Sequence, residues 1–345
     1  MGLRFPSDLA AWQRWQHRQH ILRRLRDVAR RPSPVTMHLH VRGTEPAVLF
    51  ALDATTPTAL ASVIEPLAHL GDAPVAVLAP QDVASRLPGD WTVLPLDSLT
   101  TVPGPLRGVR AVVSAGHFLA AGFAAHVWAE ALGARYFVVQ HGLLTPFMAP
   151  LAPRAHLLAF SDRDADFWRS NRTDVTAHVV GSQLLWSAAK RGRERPPVSA
   201  ADGPVFLGQL HGAELPRRIS GGTAQRFCLQ TGAEYRPHPA ELDCLSKLQH
   251  SMWRRRGVRF AKPGALLDER RPVVSIFSTG VLEAAAAGVP SWVTCERPPM
   301  WVREFWDRYE LSMWGDRPTS PPILGSIEPA RAIAQHVGTV LGHQL

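Results

Sequence analysis

The chain has 345 residues, 46% of them hydrophobic, with a formal net charge of +9. That length and apolar content suit two ordinary folded domains and exclude a disordered chain. No apolar run reads as a membrane-spanning helix. The three cysteines, Cys228, Cys244 and Cys295, have neither metal-site nor disulfide-framework spacing, which fits a reducing cytosol.

The basic charge suits an anionic partner, either a membrane face or a phosphorylated small molecule. No nucleic-acid-binding signature accompanies it, so nucleic acid is not an expected partner. The first segment, 1–34, carries "LAAWQRWQHRQHILRRLRDVARR", in which Trp12, Trp15, Leu22 and Leu25 recur at helical spacing among arginines. It reads as a basic amphipathic helix over 9–31, packed on the protein body or lying on an anionic membrane surface. "RRPSP" (30–34) breaks it. No continuous apolar h-region precedes a small-residue cleavage site, so a cytoplasmic protein is expected, with any membrane contact peripheral.

From residue 35 to 190 short apolar runs alternate with helical stretches. "AVLFAL" (47–52), "VAVLA" (75–79), "VRAVVS" (109–114), "YFVVQ" (136–140) and "HLLAF" (156–160) read as buried parallel strands, and 58–70 as a helix. A doubly wound α/β domain is predicted. Residues 191–203, rich in charge and proline, read as a linker. The alternation restarts over 204–320, with strands expected at 205–210, 233–239, 272–277 and 290–294 and helices at 216–230, 241–255 and 281–287. The last segment, 321–345, is expected to be helical and to pack back on the first domain. The fold class is therefore α/β, two Rossmann-like doubly wound domains facing a cleft.

Within the second domain, "FSTGVLEAAAAGVP" places Ser278, Thr279 and Gly280 between a buried strand and a helix. A helix N-terminus offers free N–H groups and a positive dipole end, a natural seat for a diphosphate. Gly280 would admit close backbone approach, and Glu283, one turn on, would accept from a ribose diol. "YRPHP" fixes His238 between Pro237 and Pro239 to donate to phosphate, with Arg236 adding charge. "LGQLHG" supplies Gly208, His211 and Gly212, a flexible turn that would cover the diphosphate with Arg217 or Arg218 nearby. In the first domain, "VVQHG" sets His141 after a strand as general base for a hydroxyl nucleophile, with His117 of "SAGH" as the alternative base.

These motifs, in this order, resemble bacterial glycosyltransferases of the two-Rossmann GT-B type, nearest to surface and capsular polysaccharide transferases and CDP-glycerol glycerophosphotransferases. "VVGSQLLW" (179–186) is similar to the strand-turn that closes their first domain. The resemblance implies His141 as base, His238 as phosphate contact and Ser278 and Thr279 as the diphosphate turn. It departs at Gln140, where the glycerophosphotransferases carry Trp before His-Gly. The implied activity is metal-independent, inverting transfer of a sugar from a nucleotide-diphosphate donor to a glycan or lipid-linked acceptor, with no cofactor. A nucleotide-sugar epimerase and a non-catalytic nucleotide-sugar-binding scaffold are the alternatives.

Three other constellations read as structural. Asp162, Asp164 and Asp166 start a helix rather than bind metal. His38 and His40 lie on a surface strand without a third ligand. Asp53 belongs to a βα-loop turn.

Overall fold

A computed structural model describes residues 2–19, 36–194, 203–210, 212–262, 264, 266 and 270–342. The expected Leu22 and Leu25 positions and His211 lie outside these residues. The chain divides into two compact units, residues 1–184 with 325–345, and residues 185–324.

Unit 1 holds an eight-stranded sheet of β1 (Met37–Arg42), β2 (Val48–Ala51), β3 (Val75–Ala79), β4 (Thr92–Leu96), β5 (Ala111–Ser114), β6 (Arg135–Val139), β7 (His156–Ala159) and β8 (Thr176–Val179), in the order β4-β1-β3-β2-β5-β6-β7-β8. From β3 to β8 neighbouring strands are parallel, whereas β1 runs antiparallel to both β3 and β4. Alternate strand residues feed two cores. Leu49, Leu78, Val112 and Val138 face one side, and Phe50, Val77, Val113 and Val139 the other. Covering both faces is what makes these strands continuous apolar runs.

The α/β reading holds, but β1 is a correction to the surface strand expected at His38 and His40. Pairing of β4 outside it puts β1 in the sheet interior, with His40 fully buried. His40 Nε2 lies 2.9 Å from Asp82 Oδ1 and accepts from Val83 N–H, a structural contact rather than a metal ligand set.

Helix α1 (Leu9–Gln19) lies on unit 1. Trp12 is buried, donating from Nε1 to the Phe147 carbonyl at 2.8 Å and packing against Phe118. Trp15 stacks on Phe147 at 5.0 Å. The two tryptophans are thus spent on packing over the loops that follow β5 and β6. Helix α2 (Ala120–Leu132) and α3 (Asp162–Arg169) cover the first face of the sheet. Ser161 caps α3 by accepting from Asp164 N–H, Asp164 is buried, and Asp166 pairs with Arg169, so the aspartate cluster is a helix start. The unit division falls inside α4 (Gln183–Arg193).

Unit 2 holds the parallel strands β9 (Val205–Leu207), β10 (Glu234–Arg236), β11 (Arg259–Phe260), β12 (Val273–Ser275) and β13 (Ser291–Val293), in the order β11-β10-β9-β12-β13. Numbered from β9, this is the 3-2-1-4-5 order of a Rossmann sheet, whose switch point lies between β9 and β12. Its helices are α5 (Arg217–Thr231), α6 (Cys244–Arg255), α7 (Thr279–Ala286) and α8 (Met300–Arg308). α6 starts three residues later than expected because Asp243 caps it, its carboxylate accepting from Ser246 N–H. Finally, α9 (Pro329–Leu341) returns to unit 1, where Ile333, Ala334 and Val337 join the core of the second sheet face.

Candidate functional site

Among the parallel strands of each sheet the order reverses once, between β2 and β5 in unit 1 and between β9 and β12 in unit 2, and the helix following the strand beyond that point aims its N-terminus at the carboxyl edge. In unit 1 that helix is α2, after β5. Asp53, at the end of β2, closes it: Oδ1 accepts from Ala121 N–H at 2.7 Å and Oδ2 from Gly122 N–H at 3.0 Å. Burial pushes the Asp53 carboxyl up, opposed by these two amides. A Cβ at Gly122 would fall 2.0 Å from the Gly116 carbonyl oxygen, so only glycine lets the backbone come this close. The turn reading of Asp53 gains a specific content, since the protein's own carboxylate fills this anion seat.

In unit 2 the corresponding helix is α7, after β12. Ser278 caps it, Oγ accepting from Gly280 N–H at 3.2 Å, and no acid occupies the first turn. Thr279 opens the helix. A Cβ at Gly280 would lie 2.6 Å from Leu207 Cδ1 and 3.0 Å from Leu266 Cδ2, so glycine lets α7 pack onto β9.

His238 follows β10. Its Nδ1 accepts from Ala240 N–H at 3.1 Å, and burial holds its pKa below the ordinary histidine value. The neutral ring therefore carries its proton on Nε2, as a donor. Arg236, at the end of β10, donates to the Gly264 carbonyl. Glu283 is mostly buried, with Oε1 3.6 Å from Arg191 Nη2. Burial pushes its carboxyl up, and the positive charges of Arg191 and Arg236 oppose that. Sequence reasoning missed Arg191 because it belongs to a segment that reads as linker.

Described residues of the loop after β9 make several hydrogen bonds. Gly208 N–H donates to the Arg236 carbonyl, Leu210 N–H to Glu241 Oε1, and the partly buried Glu214 carboxylate turns back on Ala213 N–H and its own. A Cβ at Gly208 would meet Tyr235 Oη at 2.3 Å, and one at Gly212 would meet Glu214 Oε2 at 2.6 Å. These glycines accommodate the protein's own side chains, and the Gly208 amide is already engaged. Arg217 is likewise committed, to Asp243 and Ser246.

Two residues absent from the sequence reading hold the edge together. Gln209 Oε1 accepts from Ser275 Oγ and Phe277 N–H, both at 3.1 Å, joining the loops after β9 and β12. Glu241, 3% exposed, accepts from Leu210 N–H at 2.9 Å, Tyr235 Oη at 2.9 Å and His250 Nε2 at 2.9 Å. It ties the loop after β9, the His238 turn and α6 to one buried carboxylate. Its spacing from His238 is visible in the sequence, but its inward direction is not.

In unit 1, Gln140 directly follows β6. It is fully buried, donates from Nε2 to the Gly142 carbonyl at 3.0 Å and accepts from Phe160 N–H at 2.9 Å, locking the ends of β6 and β7. His141 follows it, half-buried, its pKa lowered by burial and its Nδ1 without a partner among the described residues. His117 is 5% exposed and its pKa is pushed down to about 4 by burial, then by His126 and Arg172. Its ring lies 5.2 Å from that of His126. Both histidines therefore stay neutral at pH 7, and His141 is the more accessible. Among the described residues no three His, Cys, Asp or Glu side chains gather to hold a metal.

No family model matches the chain, and no curated protein matches it. Among solved structures, the chain is similar to UDP-GlcNAc 2-epimerase from Methanocaldococcus jannaschii at 12% identity and a TM-score of 0.47, over 85% of this chain and 99% of that one.

Proposed function

We propose that the protein is a nucleotide-sugar-dependent glycosyltransferase that binds the diphosphate of its donor in unit 2, at the N-terminus of α7. One observation carries this reading: Asp53 fills the anion seat at α2, whereas α7 has a hydroxyl cap and no acid in its first turn. An external anion suits only the second. Around it, the Thr279 hydroxyl and the Nε2–H of His238 are the proposed diphosphate donors, and Glu283, flanked by Arg191 and Arg236, is the proposed acceptor for ribose hydroxyls.

In this mechanism the α7 N–H groups and neutral His238 stabilise the leaving diphosphate as the glycosidic bond to the sugar breaks. His141, kept neutral by burial, takes the proton of the acceptor hydroxyl as its oxygen attacks the anomeric carbon. Displacement from the opposite face would invert that carbon. The fixed dipole and His238 supply the positive potential that a cation provides in other transferases, so no metal is required.

Calorimetry with UDP, CDP and GDP tests the site, and product analysis tests the chemistry. Ser278→Ala with Thr279→Val should weaken the preferred nucleotide by several-fold to hundreds-fold, because hydrogen bonds to charged groups are worth ~1.5–3 kcal/mol each. Wild-type affinity in that variant would remove the assignment. Epimerised nucleotide sugar formed without acceptor would instead make the protein an epimerase, and nucleotide binding without turnover would make it a non-catalytic binder.

A further inference from the structure

Helix α6 of unit 2 presents an apolar strip that nothing in the described structure covers. Its inner face holds it to the unit through buried Ser246, His250 and Trp253. Beside that face, Leu245, Leu248 and Met252 are 45%, 58% and 42% exposed, and Leu242, just before the helix, is 71% exposed. The spacing 245, 248, 252 puts the three helical residues on one side of the helix, within about 60° at 3.6 residues per turn. Scattered exposed leucines need no explanation, but an aligned strip of them does.

The charges around the strip are of one sign. Between residues 244 and 262 every formally charged residue is Lys or Arg, and Lys247, Arg254, Arg255 and Arg256 are exposed. The nearest acids are committed elsewhere: Glu241 is buried and Asp243 is bound to Arg217. On the helix, Arg255 falls next to Leu248, with Lys247 and Arg254 further round. An apolar strip bordered by cations on a half-buried helix has the pattern of an interfacial surface.

We propose that this face of α6 docks on an anionic phospholipid bilayer, with Leu242, Leu245, Leu248 and Met252 entering the headgroup boundary and Lys247 and Arg255 contacting lipid phosphates. Charge selects this occupant over a second copy of the chain. A two-fold interface on the strip would bring the same cations together across the axis, whereas anionic lipid complements them. Leu242 directly follows Glu241, which anchors the His238 turn, so the docked face begins beside the candidate donor site. The inference concerns binding alone and does not depend on the proposed transfer.

Sedimentation of the full chain with phosphatidylcholine vesicles, with and without phosphatidylglycerol, tests it. Binding should require phosphatidylglycerol and fall as salt rises. Lys247→Gln with Arg255→Gln should weaken it about thirty-fold, taking roughly 1 kcal/mol per basic residue near the surface. Leu245→Ser/Leu248→Ser/Met252→Ser should weaken it by about tenfold or more, with an unchanged circular dichroism spectrum because all three residues are exposed. Cys244 is the exposed cysteine, Cys228 and Cys295 being buried, so an environment-sensitive fluorophore on Cys244 of the otherwise unaltered chain should shift to the blue on adding the anionic vesicles. The proposal is overturned if the parent ignores anionic vesicles or if the triple-serine variant binds like the parent. It is also overturned if binding is lost only with Arg14→Gln/Arg18→Gln in α1. A parent dimer that becomes monomeric in the triple-serine variant, with vesicle binding unchanged, would assign the strip to a second copy instead.

Discussion

Glu241→Ala removes the one carboxylate that joins three segments at the carboxyl edge of the unit 2 sheet. Three buried or partly buried donors lose their acceptor: Leu210 N–H, Tyr235 O–H and His250 Nε2–H. Each unsatisfied group costs about 1–3 kcal/mol, and breaking a buried charged network by removing one partner costs about 3–5 kcal/mol in total. The expected loss of stability is therefore about 3–5 kcal/mol, a large part of what a domain has. Glu241→Gln keeps one acceptor oxygen but turns an amide N–H₂ toward groups that donate, so about 1–2 kcal/mol is expected. Urea unfolding measures the loss, and hydrogen exchange of β9 and β10 amides assigns it to unit 2. A loss below about 1 kcal/mol for the alanine variant, with unchanged exchange, would show that Glu241 does not hold these loops.

His141→Ala should lower kcat by ~10²–10⁴-fold with little change in donor KM, while His117→Ala leaves turnover near that of the parent; the reverse result would move the base to His117. Because burial lowers the His141 pKa and the protonated ring cannot accept a proton, wild-type activity should fall only as the pH drops below 6.5. The pH–rate profile of kcat checks the position of that limb. Asp53→Asn should cost about 1–2 kcal/mol in unit 1, since the neutral amide keeps one acceptor oxygen, loses the charge and turns N–H₂ toward a second donor at the α2 N-terminus, as measured by chemical denaturation. Transfer should persist in EDTA, and activity lost in chelator and restored by magnesium or manganese would require a metal site.

The parallel core of unit 1 was legible because both sheet faces are covered, which writes strands such as 75–79 as unbroken apolar runs. β4 was not, since Pro95 interrupts a partly exposed edge strand. With β4 unseen, β1 could not be recognised as interior. At the candidate site, residue types were readable but the reasons for them were not. Gly208, Gly212 and Gly280 signal close approach in any sequence, yet what approaches is Tyr235, Glu214 and Leu207. Ser278 and Asp53 both read as residues of a turn at a helix start. Only the fold shows that Asp53 accepts from a helix N–H 68 residues away in the chain while Ser278 caps its own helix. The roles of Glu241 and Gln209 were not legible, because direction, not identity or spacing, makes them anchors.

Amide hydrogen exchange with saturating UDP, CDP or GDP compares the two helix N-termini in one experiment. If the diphosphate sits on unit 2, amides of residues 278–281 should gain protection with the nucleotide that binds, together with the turn around His238, while those of 120–123 beside Asp53 stay unchanged. Protection confined to 120–123, or absent from 278–281 while the nucleotide is bound, would contradict the assignment of the donor to α7.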